Sequence, residues 1–274
     1  LANIFMNDCF FILDYYKLKN QELQDFYSDA GEEKEKAEMI FKICKELEIS
    51  MSKLGYRDFA DQLVDAIKLF NKYPDLIPNY DHILVDEYQD VNSVQIDLID
   101  LLKSPNLFCV GDPRQSIYGW RGSKIQYILN FEEKYPDCEV ITLTKNYRSN
   151  NHIVNFVNTS IKSMKLPDLE SNKQSNKDIH LINFETEEGE YEFIIQRLLS
   201  TKLERKEIFV LARTNRQLIE LSQRLKFRNI KHVIRSDELK RSVVTSNQDI
   251  TLATIHAIKG LEAEMVFVIG CSPN

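Results

Sequence analysis

Asp86 and Glu87 stand directly after the apolar run His82-Ile83-Leu84-Val85, and Tyr88-Gln89-Asp90 follow them. A strand that runs straight into paired carboxylates delivers them to its C-terminal end, where open α/β sheets bind their ligands. An Asp there suits Mg²⁺, which takes one or two carboxylates and fills its other sites with water and phosphate oxygens. The neighbouring Glu suits polarisation of a water attacking a phosphoryl group. A bare apolar-Asp-Glu stretch is more often a capped turn, and Tyr88-Gln89-Asp90 weighs against that blander reading.

Twenty-five residues past Asp86, a second apolar run ends in Gly111-Asp112-Pro113-Arg114-Gln115-Ser116-Ile117-Tyr118-Gly119-Trp120-Arg121-Gly122. Its glycines permit tight turns and close approach of a ligand. Gln115 can both donate and accept, as a bridge between a phosphate and a carboxylate must. Tyr118 and Trp120 lie two apart with Arg121 adjacent, and Trp120 is the sole tryptophan of the chain. Aromatic faces beside a cation stack unpaired bases without sequence preference. A lone Trp can also plug a core gap, although a position between two glycines and beside Arg favours exposure.

These two boxes resemble the Walker B box and the third motif of UvrD/Rep-type superfamily 1 DNA helicases, the second nearly residue for residue. Three further boxes follow in the family's order. Thr142-Leu143-Thr144-Lys145-Asn146-Tyr147-Arg148-Ser149 is similar to the box whose arginine reaches the γ-phosphate. That makes Arg148 an arginine finger in cis, its planar fork suited to transition-state charge; alone it would be a surface Arg at a strand end. Val210-Leu211-Ala212-Arg213-Thr214-Asn215-Arg216-Gln217 is similar to the segment that meets the DNA backbone, although Thr and Asn are also ordinary helix caps. Thr251-Leu252-Ala253-Thr254-Ile255-His256-Ala257-Ile258-Lys259-Gly260-Leu261-Glu262 resembles motif V.

The resemblance implies an ATP-dependent 3′-to-5′ helicase or translocase on single-stranded DNA, using ATP and Mg²⁺. It implies Glu87, Gln115 and Arg148 as catalytic residues, and Asp86 as the metal-holding carboxylate. Asp86, Gly260 and Glu262 would lie at the nucleotide. Tyr118, Trp120, Arg121, Thr214, Asn215, Thr254 and His256 would contact DNA. It is detailed over residues 56–160 and 208–270 and loose elsewhere.

The sequence departs from that family in three respects. It holds no G-x-x-x-x-G-K-[ST] phosphate loop, whose backbone would cradle the β/γ-phosphates. The family's loop precedes the residues matched here, and its last arginine motif follows motif V, twelve residues before the end of this sequence. The chain therefore reads as a fragment or split form that needs a missing N-terminal segment or a second chain. About 34 residues separate Gln217 from Thr251, too few for the large accessory domain relatives insert there, which would shrink to a loop around Arg235–Asn247. A competing reading from another class is a non-catalytic DNA-binding or scaffold subunit that complements a chain bearing the phosphate loop.

The elements that must position these residues follow from periodicity. Phe41, Cys44, Leu47 and Phe59, Leu63, Ile67, Phe70 recur at three- and four-residue spacings, as helical stripes do. From residue 81, short apolar runs alternate with helical patterns: 82–85, 107–110, 139–143, 179–184, 208–211, 250–253 and 265–269. That alternation predicts an α/β fold of parallel sheets covered on both faces. With the resemblance, it becomes two RecA-like domains, the first incomplete, preceded by a small helical domain. The expected boundaries are 1–75, 76–145 and 146–274, with Glu170–Asp178 as the linker candidate.

Bulk properties limit the alternatives. A chain that is 43% hydrophobic and 28% charged is globular rather than disordered. No run approaches a membrane-spanning length, and the sequence opens on Leu1-Ala2-Asn3-Ile4-Phe5 without a leader; a cytoplasmic, nucleoid-associated protein without membrane contact is expected. The five cysteines are scattered and predict neither a disulfide scaffold nor a zinc site. Charge is uneven: residues 1–100 carry 21 Asp and Glu against 10 Lys and Arg, whereas 201–245 carry 12 Lys and Arg against 5 Asp and Glu. A basic segment can follow phosphates locally in an acidic protein, and solvated helix faces explain it equally well.

Overall fold

The helical stripes of the first third of the chain become α1 (Ala2–Leu18), α2 (Leu23–Asp29), α3 (Lys34–Leu54) and α4 (Phe59–Lys72). The computed structural model describes residues 2–29, 34–176, 179–235 and 249–271. Its contacts divide the chain into two units, one of residues 1–145 with 159–168 and one of 146–158 with 169–274.

In the first unit, Cys9 and Leu13 of α1 pack with Leu23 and Cys44, flanked by Phe41 and Leu47 from the predicted α3 stripe. The α4 stripe is less uniform, because Phe59 at its start is 88% exposed. Asp58 caps α4 through a reciprocal box with Asp61, which satisfies N–H groups the first helical turn cannot. Lys17 Nζ then donates to Asp58 Oδ2 at 2.8 Å and to Asp61 Oδ1 at 2.7 Å, tying α1 to that cap. Burial works against the charged Lys17, but the two carboxylates outweigh it and hold its pKa above the ordinary value.

After α4 come β1 (His82–Val85), α5 (Ser93–Leu102), β2 (Asn106–Cys109), and the short helices α6 (Gln126–Leu129) and α7 (Phe131–Lys134). The two strands pair in parallel from His82↔Asn106 to Val85↔Cys109. The ladder continues past them, with Val110 N donating to Val85 O and Tyr88 N to Val110 O. The expectation of coverage on both faces fails here: Leu84 is 73% and Phe108 60% exposed. The expected strand at 139–143 is also absent. Val140, Ile141 and Leu143 are exposed, and without a neighbouring ladder an apolar run has nothing to pair with.

The second unit holds β3 (Lys145–Asn150) paired with β4 (Glu170–Lys173), and α8 (Asn151–Ser160) follows β3. The first four of the nine residues of the predicted linker are thus strand, while 179–184 carries no strand. Next come α9 (Glu187–Ser200), β5 (Ile208–Ala212), α10 (Asn215–Phe227), β6 (His232–Arg235), β7 (Ile250–Thr254) and β8 (Met265–Ile269). They build a parallel sheet of order β6-β7-β5-β8. Here the near-continuous apolar runs are buried as expected, β7 throughout and β5 at four of its five positions. Leu218, Leu221 and Leu225 of α10 and Ile194, Ile195 and Leu198 of α9 pack into the core with Val210 and Leu252. The loop expected in place of an accessory domain lies, beyond Arg235, outside the described residues.

Candidate nucleotide and strand sites

Asp86 and Glu87 emerge at the C-terminal end of β1, as the strand-end argument requires. Glu87 adopts φ 53° and ψ 41°, in the left-handed region that non-glycine residues occupy at a cost of about 1–2 kcal/mol. Such strain persists only when the surroundings impose it. Asp86 Oδ1 accepts from Glu87 N at 2.8 Å. Gln89, fully buried, donates from Nε2 to Glu87 Oε2 at 2.5 Å. Its Oε1 accepts from Asp112 N at 2.9 Å, and its backbone carbonyl accepts from Ser116 Oγ. One amide therefore clamps the first box to the second. Gly111 leaves room for it, since a Cβ there would meet Gln89 Oε1 at 2.6 Å.

Asp86 and Glu87 also line a cleft of about 440 Å³ with Leu63, Asp90, Gln95 and Leu98. Gln115 is held elsewhere: its Nε2 donates to Asp112 Oδ2 at 3.1 Å. Asp112 in turn accepts from Arg114 N and pairs with Arg114 Nη1. The structure thus joins Gln115 to the clamp through Asp112 and gives it an exposed amide.

Tyr118, Trp120 and Arg121 form a cluster. The rings of Tyr118 and Trp120 lie 6.4 Å apart, and the Arg121 guanidinium sits 4.5 Å from the Trp120 centroid and 5.1 Å from that of Tyr118. Trp120 is 40% exposed, so it does not fill a core gap.

In the second unit, Arg148 lies on β3 and its Nε pairs with Glu262 Oε2 at 2.7 Å, both side chains being largely exposed. The arginine and the carboxylate expected at the nucleotide are therefore brought together. Gly260 takes φ 86°, with open space where a Cβ would stand. Thr214 and Thr254 end or follow adjacent strands, since β5 and β7 are paired through Ala212↔Thr254. Thr254 is buried, and its Oγ1 accepts from Ala257 N. His256 stands in the turn beyond it. Thr214 caps α10, its N–H and hydroxyl both donating to Gln217 Oε1; Asn215 is the first residue of that helix. Three arginines of the basic segment are paired with carboxylates. Arg216 pairs with Glu187 and Glu220, Arg224 with Glu188, and Arg228 with Glu192.

Residues 11–136 match the UvrD/REP helicase N-terminal domain, and residues 141–240 match the UvrD-like helicase C-terminal domain. The chain belongs to the UvrD/Rep helicase family. Among curated relatives, the ATP-dependent DNA helicase PcrA of Staphylococcus epidermidis RP62A is 34% identical over 260 residues, covering 86% of this chain and 34% of the relative. PcrA of Staphylococcus aureus NCTC 8325 is 34% identical over 244 residues, 80% of this chain and 33% of the relative. The chain spans about a third of the length of these relatives. Likeness to the UvrD/Rep N-terminal domain begins at residue 11, within the helical region whose motifs were least informative. The motif V box lies beyond the C-terminal match. No described helix is long and apolar enough to cross a membrane.

Within this UvrD/Rep chain, sequence reading overlooked Gln89, which sits in the quoted Walker B box but was given no role. Its signal was a Gln between two carboxylates at a strand end, where an amide can donate to one group while accepting from another.

Proposed function

We propose that this chain is the strand-contacting and hydrolytic part of an ATP-driven motor that moves 3′ to 5′ on single-stranded DNA. The observation that carries this reading is the Gln89 clamp, which aims the Glu87 carboxylate beside Asp86 at the end of a parallel strand. In a member of this family, that arrangement suits a general base for water attack on a phosphoryl group.

The residues fit Mg²⁺ of the kind used with nucleotides. Among the described residues no three His, Cys, Asp or Glu side chains gather into a cage, and Mg²⁺ at a nucleotide needs only one or two carboxylates. Asp86 would hold the ion, which when bound neutralises charge on the phosphates. Glu87 would orient and deprotonate the water, and Gln115 would sense the phosphate through Asp112 and Gln89. Arg148 would leave Glu262 for the γ-phosphate, with Gly260 and Glu262 at the nucleotide. Tyr118, Trp120 and Arg121 would hold bases, while Thr214, Asn215, Thr254 and His256 would meet the strand on the second unit. The sequence has no phosphate-cradling loop, so we assign that part to residues outside these 274 or to a second chain.

The test is strand-stimulated ATP hydrolysis by the motor assembled with its phosphate loop, with and without Glu87→Gln. A loss of about 10²–10⁴-fold is expected for removal of a general base; turnover within a few fold of the parent would overturn the assignment. Direction is read by dissociation from strands labelled at either end. Faster arrival at the 3′ label would reverse the proposed polarity.

A further inference from the structure

The Trp120 ring does not stand alone with Tyr118. Phe11 of α1 stacks on it at 5.8 Å between centroids and 27° between planes, and Tyr15 stacks on Phe11 at 5.9 Å and 29°. With the 6.4 Å from Trp120 to Tyr118, four rings form one row. Lys19 Nζ stands 4.1 Å from the Tyr15 centroid at one end, and Arg121 lies over Trp120 and Tyr118 at the other.

We propose that α1 supplies part of the strand-binding surface, with Phe11 and Tyr15 continuing the platform of Trp120 and Tyr118 for the bases of single-stranded DNA. This rests on the reading of Trp120 as a base-stacking residue and extends it to a helix that none of the helicase motifs includes.

Three observations support it. First, α1 already has its core face: Cys9, Leu13 and Tyr16 are buried. Phe11 and Tyr15, four residues apart and therefore neighbours on the helix surface, lie off that face. Phe11 remains 42% exposed, so the row presents ring surface to solvent instead of closing over itself. Second, the helix end is seated on the loop: a Cβ at Gly122 would stand in ordinary van der Waals contact with Lys19 Cγ at 3.5 Å and Leu18 Cβ at 3.6 Å, so α1 ends directly against the turn that carries Trp120 and Arg121. Third, the charges complement a strand. Cations at both ends of an aromatic row can meet phosphates while the rings meet bases, the combination by which single strands are held without sequence preference.

The test uses fluorescein-labelled oligodeoxythymidylate, with anisotropy giving Kd. Emission from Trp120, the sole tryptophan of this chain, reports on the row itself. Phe11→Ala and Phe11→Leu should each raise Kd about 10-fold, the scale of one lost stacking contact, and should reduce the quenching of Trp120 by the oligonucleotide. Phe11→Tyr should bind as the parent does. Far-UV circular dichroism checks folding. If the alanine variant does not fold, the leucine variant and Tyr15→Leu carry the test, since both keep apolar volume and remove a ring. Kd within twofold of the parent in Phe11→Leu, alongside weakened binding by Trp120→Ala, would overturn the extension and leave the platform intact. Unchanged binding in Trp120→Ala as well would overturn the underlying reading, and the extension with it.

Discussion

Gln89 offers the most direct perturbation of the proposed hydrolytic centre. Its amide makes one bond to the Glu87 carboxylate at 2.5 Å and one to the Asp112 N–H at 2.9 Å. A hydrogen bond to a charged group contributes about 1.5–3 kcal/mol, and a buried donor left without its acceptor costs about 1–3 kcal/mol. Gln89→Ala should therefore destabilise the first unit by about 2–4 kcal/mol, since the two losses overlap. It should also free Glu87 to leave its left-handed turn. Misplacing a catalytic group by about 1 Å can cost 10²-fold, so kcat should fall by about 10- to 100-fold with little change in nucleotide affinity. Gln89→Glu separates positioning from packing. It places a second carboxylate against Glu87, and like charges at that range raise the pKa of the pair. Turnover should then be depressed near neutral pH and partly recover as pH rises. The assay is strand-stimulated hydrolysis by the loop-bearing motor from pH 6 to 9, with urea midpoints recorded in parallel. An unmoved midpoint together with kcat within twofold for Gln89→Ala would refute the clamp.

Three further outcomes follow from the geometry. Gly111→Ala drives a Cβ to 2.6 Å from Gln89 Oε1 and 2.9 Å from Ile128 Cδ1; overpacking of this kind costs about 1–3 kcal/mol, read as a lower urea midpoint. Asp14 has its pKa pushed up to about 6 by burial first and then by Asp58, against the pull of Lys17. A raised folded-state pKa means stability present below the ordinary carboxylate range and lost as pH rises through about 6. Neighbouring groups desolvate the Asp14 carboxyl, yet the residue keeps a substantial solvent-facing surface, and screening there limits the effect to about 1 kcal/mol. Asp14→Asn should thus stabilise the first unit above pH 6 and not at pH 4; an equal gain at both would exclude titration as the cause. Glu262→Gln removes an exposed partner of Arg148 and should shift stability by less than about 1 kcal/mol. Arg148→Ala should instead lower turnover by about 10³-fold, and a comparable loss of stability in both variants would mark the pair as structural.

The apolar runs of β5 and β7 were legible because each has parallel neighbours on both sides that bury it; β8, at the sheet edge, pairs with β5 alone and stays half-buried. The runs at 139–143 and 179–184 read equally well as strands, yet neither forms one. Pairing depends on a neighbour, which a local pattern does not contain. β4 was hidden in the opposite way, because Glu170-Ser171-Asn172-Lys173 looks like linker until β3 lies beside it. The site divides similarly. Asp86, Glu87 and Trp120 stood out by residue type and spacing, whereas Arg148 stood out only through the family resemblance of its box. The Phe11–Trp120 contact joins positions 109 residues apart, and no spacing rule connects them. The basic residues of 201–245 suggested a phosphate track, but the carboxylate partners of Arg216, Arg224 and Arg228 on α9 become apparent only when α9 and α10 lie side by side.

That pairing bears on how a strand would be held as ionic strength changes. Arg216, Arg224 and Arg228 already carry carboxylates, so a phosphate would have to compete with a glutamate for each of them. For single strands, the logarithm of the binding constant falls with the logarithm of salt by about 0.7 for each phosphate neutralised. Contacts confined to Lys19 and Arg121 would give a slope of about −1.5, and recruitment of the three arginines would steepen it by about 2. With the shallower slope, the chain would keep its hold on a strand through its rings, in salt that strips proteins relying on charge.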